Sequence, residues 1–282
     1  WALVNPWSII FGWADGAYRR LRPGSGLDMG YGYPRRLGVW PAFVLFLGFA
    51  WLENSFPQSS EPSMIAMMVI IYSAITWGAM LFFGRHTWLR YGEAFSVVFG
   101  FLARFAPTEV GVAHRDYCVY CDSDCANFQD GCVNCYLCWE QTERGERELN
   151  LRPFAVGLAR REVVTTDVLA LVILMLATVT FDGFKATPVW ANLQIELYGT
   201  AKTFFGNNAL MAIDTLGLLL LPGIFLGVYL IFAWLMERTS GGELRTADLA
   251  RAFVYSLIPI ALAYNIAHFF TLLAIQGQLI IP

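Results

Sequence analysis

The sequence predicts an all-α, polytopic transmembrane helical bundle of about five spans with a Cys-rich extramembrane loop. The first observation is composition: hydrophobic residues make up 57% of the 282 residues, charged residues make up 15%, and the mean hydropathy is +0.50. Soluble domains usually contain about 25% charged residues, so this composition argues against an ordinary soluble protein. The others are a series of long apolar stretches and the confinement of every cysteine to one short segment.

Five stretches with few or no charged residues are long enough to cross a membrane, for which a helix needs about 20 apolar residues. The predicted spans are Leu37–Leu52 with its continuation to Phe56, Pro62–Gly84, Val163–Phe184, Thr215–Met236 and Ala252–Pro282. Trp1–Ala14 and Ala94–Ala103 are apolar but too short, so we predict interfacial or re-entrant segments there. Because both chain ends lie in apolar stretches, we expect an interior fragment of a longer protein or a chain trimmed at both ends.

The spans divide the chain into three predicted parts. Residues 1–107 form an N-terminal membrane part with two spans, residues 108–162 form the Cys-rich loop, and residues 163–282 form a C-terminal membrane part with three spans. Of the 19 Lys and Arg residues, all except Lys185 and Lys202 fall on the side of this loop. Cytoplasmic loops retain positive charge, so we expect this loop to be cytoplasmic.

The charge also bears on the partners. A net charge of −3 without a basic run excludes nucleic acid as an obvious partner, because phosphate binding needs clustered Lys and Arg. The expected partners are the lipid bilayer and other membrane-protein subunits.

The six cysteines form the most specific chemical pattern in the chain. Each C-x2-C pair places two thiolates at the separation that a tetrahedral metal requires. The spacing therefore predicts a site for Zn²⁺ or an iron–sulfur cluster formed from Cys118, Cys121, Cys125, Cys132, Cys135 and Cys138. The fourth ligand of a ferredoxin-type run would fall at Thr142, which departs from that pattern. Three disulfides or free thiols are the alternatives, and a reducing cytoplasm favours the metal.

Three ionisable residues lie in or beside three different predicted spans at similar depth: His268, Asp214 and Asp182. Ionisable residues in membrane spans are costly and often functional, so these are the candidate catalytic residues. Were they to converge, they would form a metal site, a quinone pocket or a proton relay, since imidazole titrates near neutral pH. In the structural alternative the two aspartates mark helix ends and His268 hydrogen-bonds a neighbouring helix.

Short stretches along the whole chain carry a family resemblance: Leu3-Val4-Asn5-Pro6-Trp7, Trp13-Ala14-Asp15-Gly16, Leu37-Gly38-Val39-Trp40-Pro41-Ala42, Gly92-Glu93-Ala94-Phe95-Ser96-Val97, Arg104-Phe105-Ala106-Pro107-Thr108-Glu109, Glu148-Leu149-Asn150-Leu151-Arg152-Pro153, Asp182-Gly183 and Gln276-Gly277-Gln278. In these stretches the chain resembles bacterial multi-span membrane proteins that bear the name fenitrothion hydrolase. The resemblance implies a longer parent with further spans, and cleavage of an organophosphate ester, which normally uses metal-activated water.

Three functions follow as hypotheses, and whether the chain is itself an enzyme stays open. The first is an integral membrane subunit of a larger redox or respiratory complex, carrying the thiolate metal site. The second is a membrane-embedded hydrolase of organophosphate-type esters. The third is a transporter, which the lack of an evident internal repeat disfavours.

Overall fold

The computed structural model describes residue 1 and residues 4–112, 134–159, 164–241 and 244–280. Most of the described residues lie in helices. The described helices are α1 (Pro6–Leu21), α2 (Trp40–Ser55), α3 (Pro62–Phe83), α4 (Arg85–Tyr91), α5 (Ala94–Leu102), α6 (Tyr136–Gln141), α7 (Thr166–Lys185), α8 (Pro188–Phe205), α9 (Ala209–Thr239), α10 (Thr246–Phe253) and α11 (Leu257–Gln276). Strands β1 (Thr108–Val112) and β2 (Arg147–Leu151) pair antiparallel.

Five helical stretches are long and apolar enough to cross a membrane, which confirms the predicted class of multi-span helical protein. They are Arg35–Ser55, Pro62–Phe83, Thr166–Lys185, Pro188–Thr239 and Thr246–Phe270. Ala94–Phe105 is helical, apolar and shorter, as the sequence predicts. The sequence analysis missed α8 as a helix because Glu196 and Lys202 interrupt its apolar residues.

The chain forms two compact units that alternate along the sequence. The first contains Trp1–Tyr33 and Ser73–Arg161, and the second contains Pro34–Tyr72 and Glu162–Pro282. Helix α3 therefore contributes its first half to the second unit and its second half to the first unit.

In the first unit, two helix starts are joined by buried side chains. Asn5 caps α1 by accepting a hydrogen bond from the Ser8 backbone N–H (3.0 Å). Glu93 caps α5 by accepting from the backbone N–H groups of Phe95 (3.0 Å) and Ser96 (2.7 Å). The Asn5 amide also donates to the Ser96 hydroxyl (3.0 Å). These contacts satisfy donors that would otherwise lack partners at the helix ends, so we read Glu93 as a structural cap.

In the second unit, α7 is the central helix. Of the 18 most apolar consecutive residues of α7, 67% are buried, whereas the corresponding share in each of the other four candidate spans is 22% or less. A helix that is apolar on every face is expected to lie at the centre of a bundle, and α7 packs against α2, α9 and α11. Next to it lies a core cluster formed by Ala50, Phe181, Trp190, Ile213 and Leu218.

The starts of α2 and α7 are held together by a contact that requires glycine. The Val39 backbone N–H donates to Asp167 Oδ2 (2.5 Å). Gly38 has a φ of +46°, and a Cβ atom there would lie 2.0 Å from the same oxygen. Because both helices begin at this contact, they run in the same direction, and their C-terminal ends lie at one end of the unit.

Candidate functional site

A polar cluster lies at the end of the second unit where α2 and α7 finish and α9 begins. It contains Glu53 and Asn54 from α2, Asp182 and Lys185 from α7, Asp214 from α9, and Tyr264 and His268 from α11. All three candidate catalytic residues of the sequence analysis belong to this cluster, but they do not form one contact group.

The centre of the cluster is an imidazole–carboxylate pair between α11 and α7. His268 Nε2 lies 2.8 Å from Asp182 Oδ2, and the two side chains are 27% and 31% exposed. Tyr264 lies one turn before His268, and the two rings stack with centroids 6.3 Å apart. The pair thus joins two candidate spans and remains partly accessible.

Gly183 permits the close approach of α11 to α7. A Cβ atom at this position would lie 2.5 Å from the Tyr264 hydroxyl and 3.6 Å from His268 Nδ1. The absence of a side chain on Gly183 therefore lets both rings pack beside Asp182.

Glu53 is a further ionisable side chain near Asp182 and His268, and it was not predicted from the sequence. It lies close enough to interact electrostatically with both Asp182 and His268. The sequence does contain one feature that indicates this residue: a carboxylate in the last turn of an otherwise apolar helix, directly before Asn54. The next residues, Asn54 and Ser55, are buried, and their Oδ1 and Oγ atoms have no hydrogen-bond partner among the described residues.

Asp214 is bound by a different set of groups. Its Oδ1 accepts hydrogen bonds from Trp190 Nε1 (3.0 Å) and Gln194 Nε2 (2.7 Å), and its Oδ2 lies 3.1 Å from Lys185 Nζ. The Lys185 ammonium also donates to the Asn54 backbone carbonyl. Asp214 is 7% exposed, so these contacts account for a buried carboxylate whose acceptors are occupied. Lys185 lies one helical turn after Asp182, which places the two pairs side by side along α7.

The predicted metal site lies mostly outside the described residues. Cys118, Cys121, Cys125 and Cys132 fall there, whereas Cys135 is the N-terminal cap residue of α6 and Cys138 is buried within α6. Within the described ranges, no group of three or more His, Cys, Asp or Glu side chains is arranged to hold a metal ion.

Helix α6, which follows the Cys-rich segment, is fixed to α4 by an ionic contact. Glu140 Oε2 lies 2.5 Å from Arg85 Nη2 and 3.1 Å from His86 Nε2. Arg147 donates to the backbone carbonyls of Glu140 (3.2 Å) and Thr142 (3.0 Å). Three basic side chains, those of Arg85, His86 and Arg147, therefore contact the helix that carries Cys138 or its C-terminal cap.

The geometry defines a helical chain with five candidate membrane spans, two of which are joined by a partly accessible imidazole–carboxylate pair, consistent with a multi-pass membrane protein. No protein-family model, no curated protein and no solved structure matches the chain. The chemical assignment of the site therefore depends on its own geometry.

Proposed function

We propose that this chain is an integral membrane subunit of a larger redox-linked complex, in which Asp182 and His268 exchange protons. The observation that supports this function is the 2.8 Å contact between His268 Nε2 and Asp182 Oδ2 across two candidate spans. Ionisable side chains in membrane helices are costly, and they pair with one another where they serve proton or ion pathways. An imidazole next to a carboxylate gains a proton as a stabilised ion pair and releases it as a neutral ring.

The surroundings of the pair support proton exchange. Glu53 adds a second carboxylate within electrostatic range of the pair. The buried Asn54 Oδ1 and Ser55 Oγ atoms add hydrogen-bonding capacity in the next residues of α2. Lys185 is engaged by Asp214, so it does not serve as the counter-ion of Asp182.

The same proposal includes a thiolate metal site built from the six cysteines. Cys135 precedes α6 as its N-terminal cap residue and Cys138 lies in its first turn, and a metal knuckle would take its ligands from this C-x2-C pair. An iron–sulfur cluster would supply electron transfer there, whereas Zn²⁺ would supply rigidity. The distribution of Lys and Arg supports a cytoplasmic position for this segment. The resemblance to bacterial multi-span membrane proteins supports a location in the bacterial inner membrane.

The test is native purification of the complex, followed by mass spectrometry, metal analysis and quinol oxidation in reconstituted vesicles. We expect copurifying membrane subunits, stoichiometric iron or zinc, and proton release coupled to oxidation. His268→Gln retains hydrogen-bonding capacity but does not titrate, so it should lower turnover by more than about tenfold while metal and partners remain. A chain that purifies alone without metal, or a fully active His268→Gln complex, would disprove the proposal.

A second candidate function is a membrane-embedded hydrolase of organophosphate-type esters. Asp182 engages Nε2 of His268 and leaves Nδ1 as the proton-accepting atom, which is the arrangement of a general base oriented by a carboxylate. Purified protein should then cleave a p-nitrophenyl organophosphate, and His268→Ala should abolish that cleavage. Unchanged cleavage in this variant would eliminate the His268 mechanism.

A further inference from the structure

Two polar atoms of α11, the Tyr264 hydroxyl and His268 Nδ1, have no hydrogen-bond partner within the described ranges. The imidazole of His268 makes its hydrogen bond through Nε2, to Asp182 Oδ2 (2.8 Å). Both atoms lie beside Gly183, at 2.5 Å and 3.6 Å from the position that a Cβ atom would take there. Polar groups in apolar surroundings normally find partners, because leaving them unpaired costs free energy. These two atoms therefore offer a ligand one hydrogen-bonding position next to the imidazole–carboxylate pair.

The hydrogen-bonding character of the two atoms selects a hydroxyl group. When Asp182 accepts the hydrogen bond from Nε2–H, Nδ1 of the neutral ring is an acceptor, so the ligand must donate there. The Tyr264 hydroxyl can donate to the same ligand oxygen in return. The phosphodiester of a lipid headgroup and a carboxylate carry no hydrogen to donate. Asp182 and Glu53, which both act on His268 electrostatically, also repel an anion. The position thus fits a neutral ligand with a hydroxyl group.

Aromatic rings and exposed apolar side chains surround this position. The Tyr264 and His268 rings stack with centroids 6.3 Å apart, and the Phe269 ring lies edge-on to the imidazole with centroids 4.9 Å apart. Tyr264 is 37% exposed, and Ile260, one turn before it, is 53% exposed. Of the 18 most apolar consecutive residues of Thr246–Phe270, 17% are buried. A ligand that arrives through the lipid therefore meets flat rings, which favour an aromatic ligand.

We propose that Tyr264 and His268 bind the phenolic hydroxyl of a lipid-soluble hydroquinone. The hydroxyl donates to His268 Nδ1 and accepts from the Tyr264 hydroxyl. The choice of a hydroquinone among aromatic hydroxyl compounds rests on the proposed function, because a redox-linked membrane complex needs a redox carrier that dissolves in lipid. In this position the hydroxyl proton of the ligand lies against the imidazole that Asp182 orients, which is the ring that the proposed proton exchange uses.

The first test measures binding to the natively purified protein in lipid nanodiscs. The probe is decyl-hydroquinone, and the matched ligand is its dimethyl ether, which has the same ring but no hydrogen to donate. We expect the hydroquinone to bind at least about threefold more tightly than the ether, which corresponds to one hydrogen bond. Equal affinity of the two ligands would overturn the proposal.

Tyr264→Phe locates the binding at this position, because it removes the hydroxyl and keeps the ring. It should weaken binding of decyl-hydroquinone about three- to tenfold. Tyr198→Phe in α8 is the matched control, since Tyr198 is 38% exposed and Tyr264 is 37% exposed. The control variant should bind decyl-hydroquinone as the unchanged protein does. An equal effect of the two tyrosine substitutions would contradict the assigned site.

Nitrogen NMR of isotope-labelled histidine separates the ligand site from the proposed proton exchange. The chain contains three histidines, and the signal that His268→Gln removes identifies His268. Decyl-hydroquinone should shift the Nδ1 resonance, and the dimethyl ether should not. An unshifted resonance would overturn the ligand site even where His268→Gln lowers turnover. A shifted resonance combined with full turnover of His268→Gln would support the ligand site and disprove the proposed function.

Discussion

Asp182 and Asp214 are both carboxylates paired with a basic side chain at the same end of the second unit, yet their surroundings differ. Asp214 is buried and receives hydrogen bonds from Trp190 and Gln194 in addition to its contact with Lys185. Asp182 is partly exposed and pairs with His268, whose charge depends on protonation. A lysine side chain normally stays charged, whereas the charge of a histidine side chain depends on its protonation.

The largest expected effect is that of Asp214→Ala, which should destabilise the protein by about 3 kcal/mol, because it leaves the buried Trp190 indole N–H without its acceptor and the Lys185 ammonium without this counter-ion. The measurement is the free energy of unfolding in detergent. The control is Asp248→Ala in α10, which removes an exposed ion pair with Arg251 and should cost less than about 1 kcal/mol. An equal loss of unfolding free energy in both variants would show that the contacts of Asp214 do not stabilise the fold more than an exposed ion pair does.

Trp190→Phe should cost about 2 kcal/mol, because it removes one hydrogen bond to a buried carboxylate and keeps an aromatic ring against Phe181. Thermal unfolding in detergent measures the loss. Trp234→Phe changes the same residue type at a more exposed position of α9 and should have little effect. A neutral Trp190→Phe variant would contradict the role assigned to this hydrogen bond.

Gly183→Ala should cost about 1–2 kcal/mol, because the added methyl group displaces the Tyr264 hydroxyl, and it should also lower the activity that depends on His268. Thermal midpoint and turnover are measured on the same preparation. Gly223→Ala is the matched control, since no atom lies within 4 Å of the added Cβ. If both glycine variants behave alike, the proposed packing at Gly183 is wrong.

Asp182→Asn should have the smallest effect on stability, below about 1 kcal/mol, since the pair that it removes is partly solvent-exposed. Turnover should nevertheless fall, because an amide does not stabilise the protonated imidazole. The two readouts separate a functional pair from a structural one. Loss of stability with full activity would reverse the comparison between Asp182 and Asp214.

Features that depend only on position along a span could be predicted from the sequence. Rise along a helix is 1.5 Å per residue, so span boundaries placed Asp182, Asp214 and His268 at similar depth. Rotation about each helix axis could not be predicted in the same way. Spans that are apolar on every side carry almost no periodic signal, and the contact between Asp182 and His268 depends on that rotation.

The missed residues have equally specific causes. Glu53 and Lys185 lie at helix ends, where charged residues are ordinary and carry no distinctive pattern. Trp190 and Gln194 could not be predicted as partners of Asp214, because both lie on α8, which was not predicted as a helix. The spacing of Cys135 and Cys138 is evident from the sequence. The contact of Glu140 in α6 with Arg85 and His86 in α4, which holds the helix that carries Cys138, could not be predicted.

By itself, the sequence determined the class of molecule, because 57% hydrophobic residues in long uncharged stretches favour helices that satisfy their own backbone in lipid. It also determined which ionisable residues lie within or beside apolar spans, where a charged side chain is energetically costly. Only the tertiary structure decided which basic group each carboxylate pairs with. That choice depends on how neighbouring helices face one another, and residues distant in the chain, such as Gly183 and Tyr264, fix those orientations through close packing.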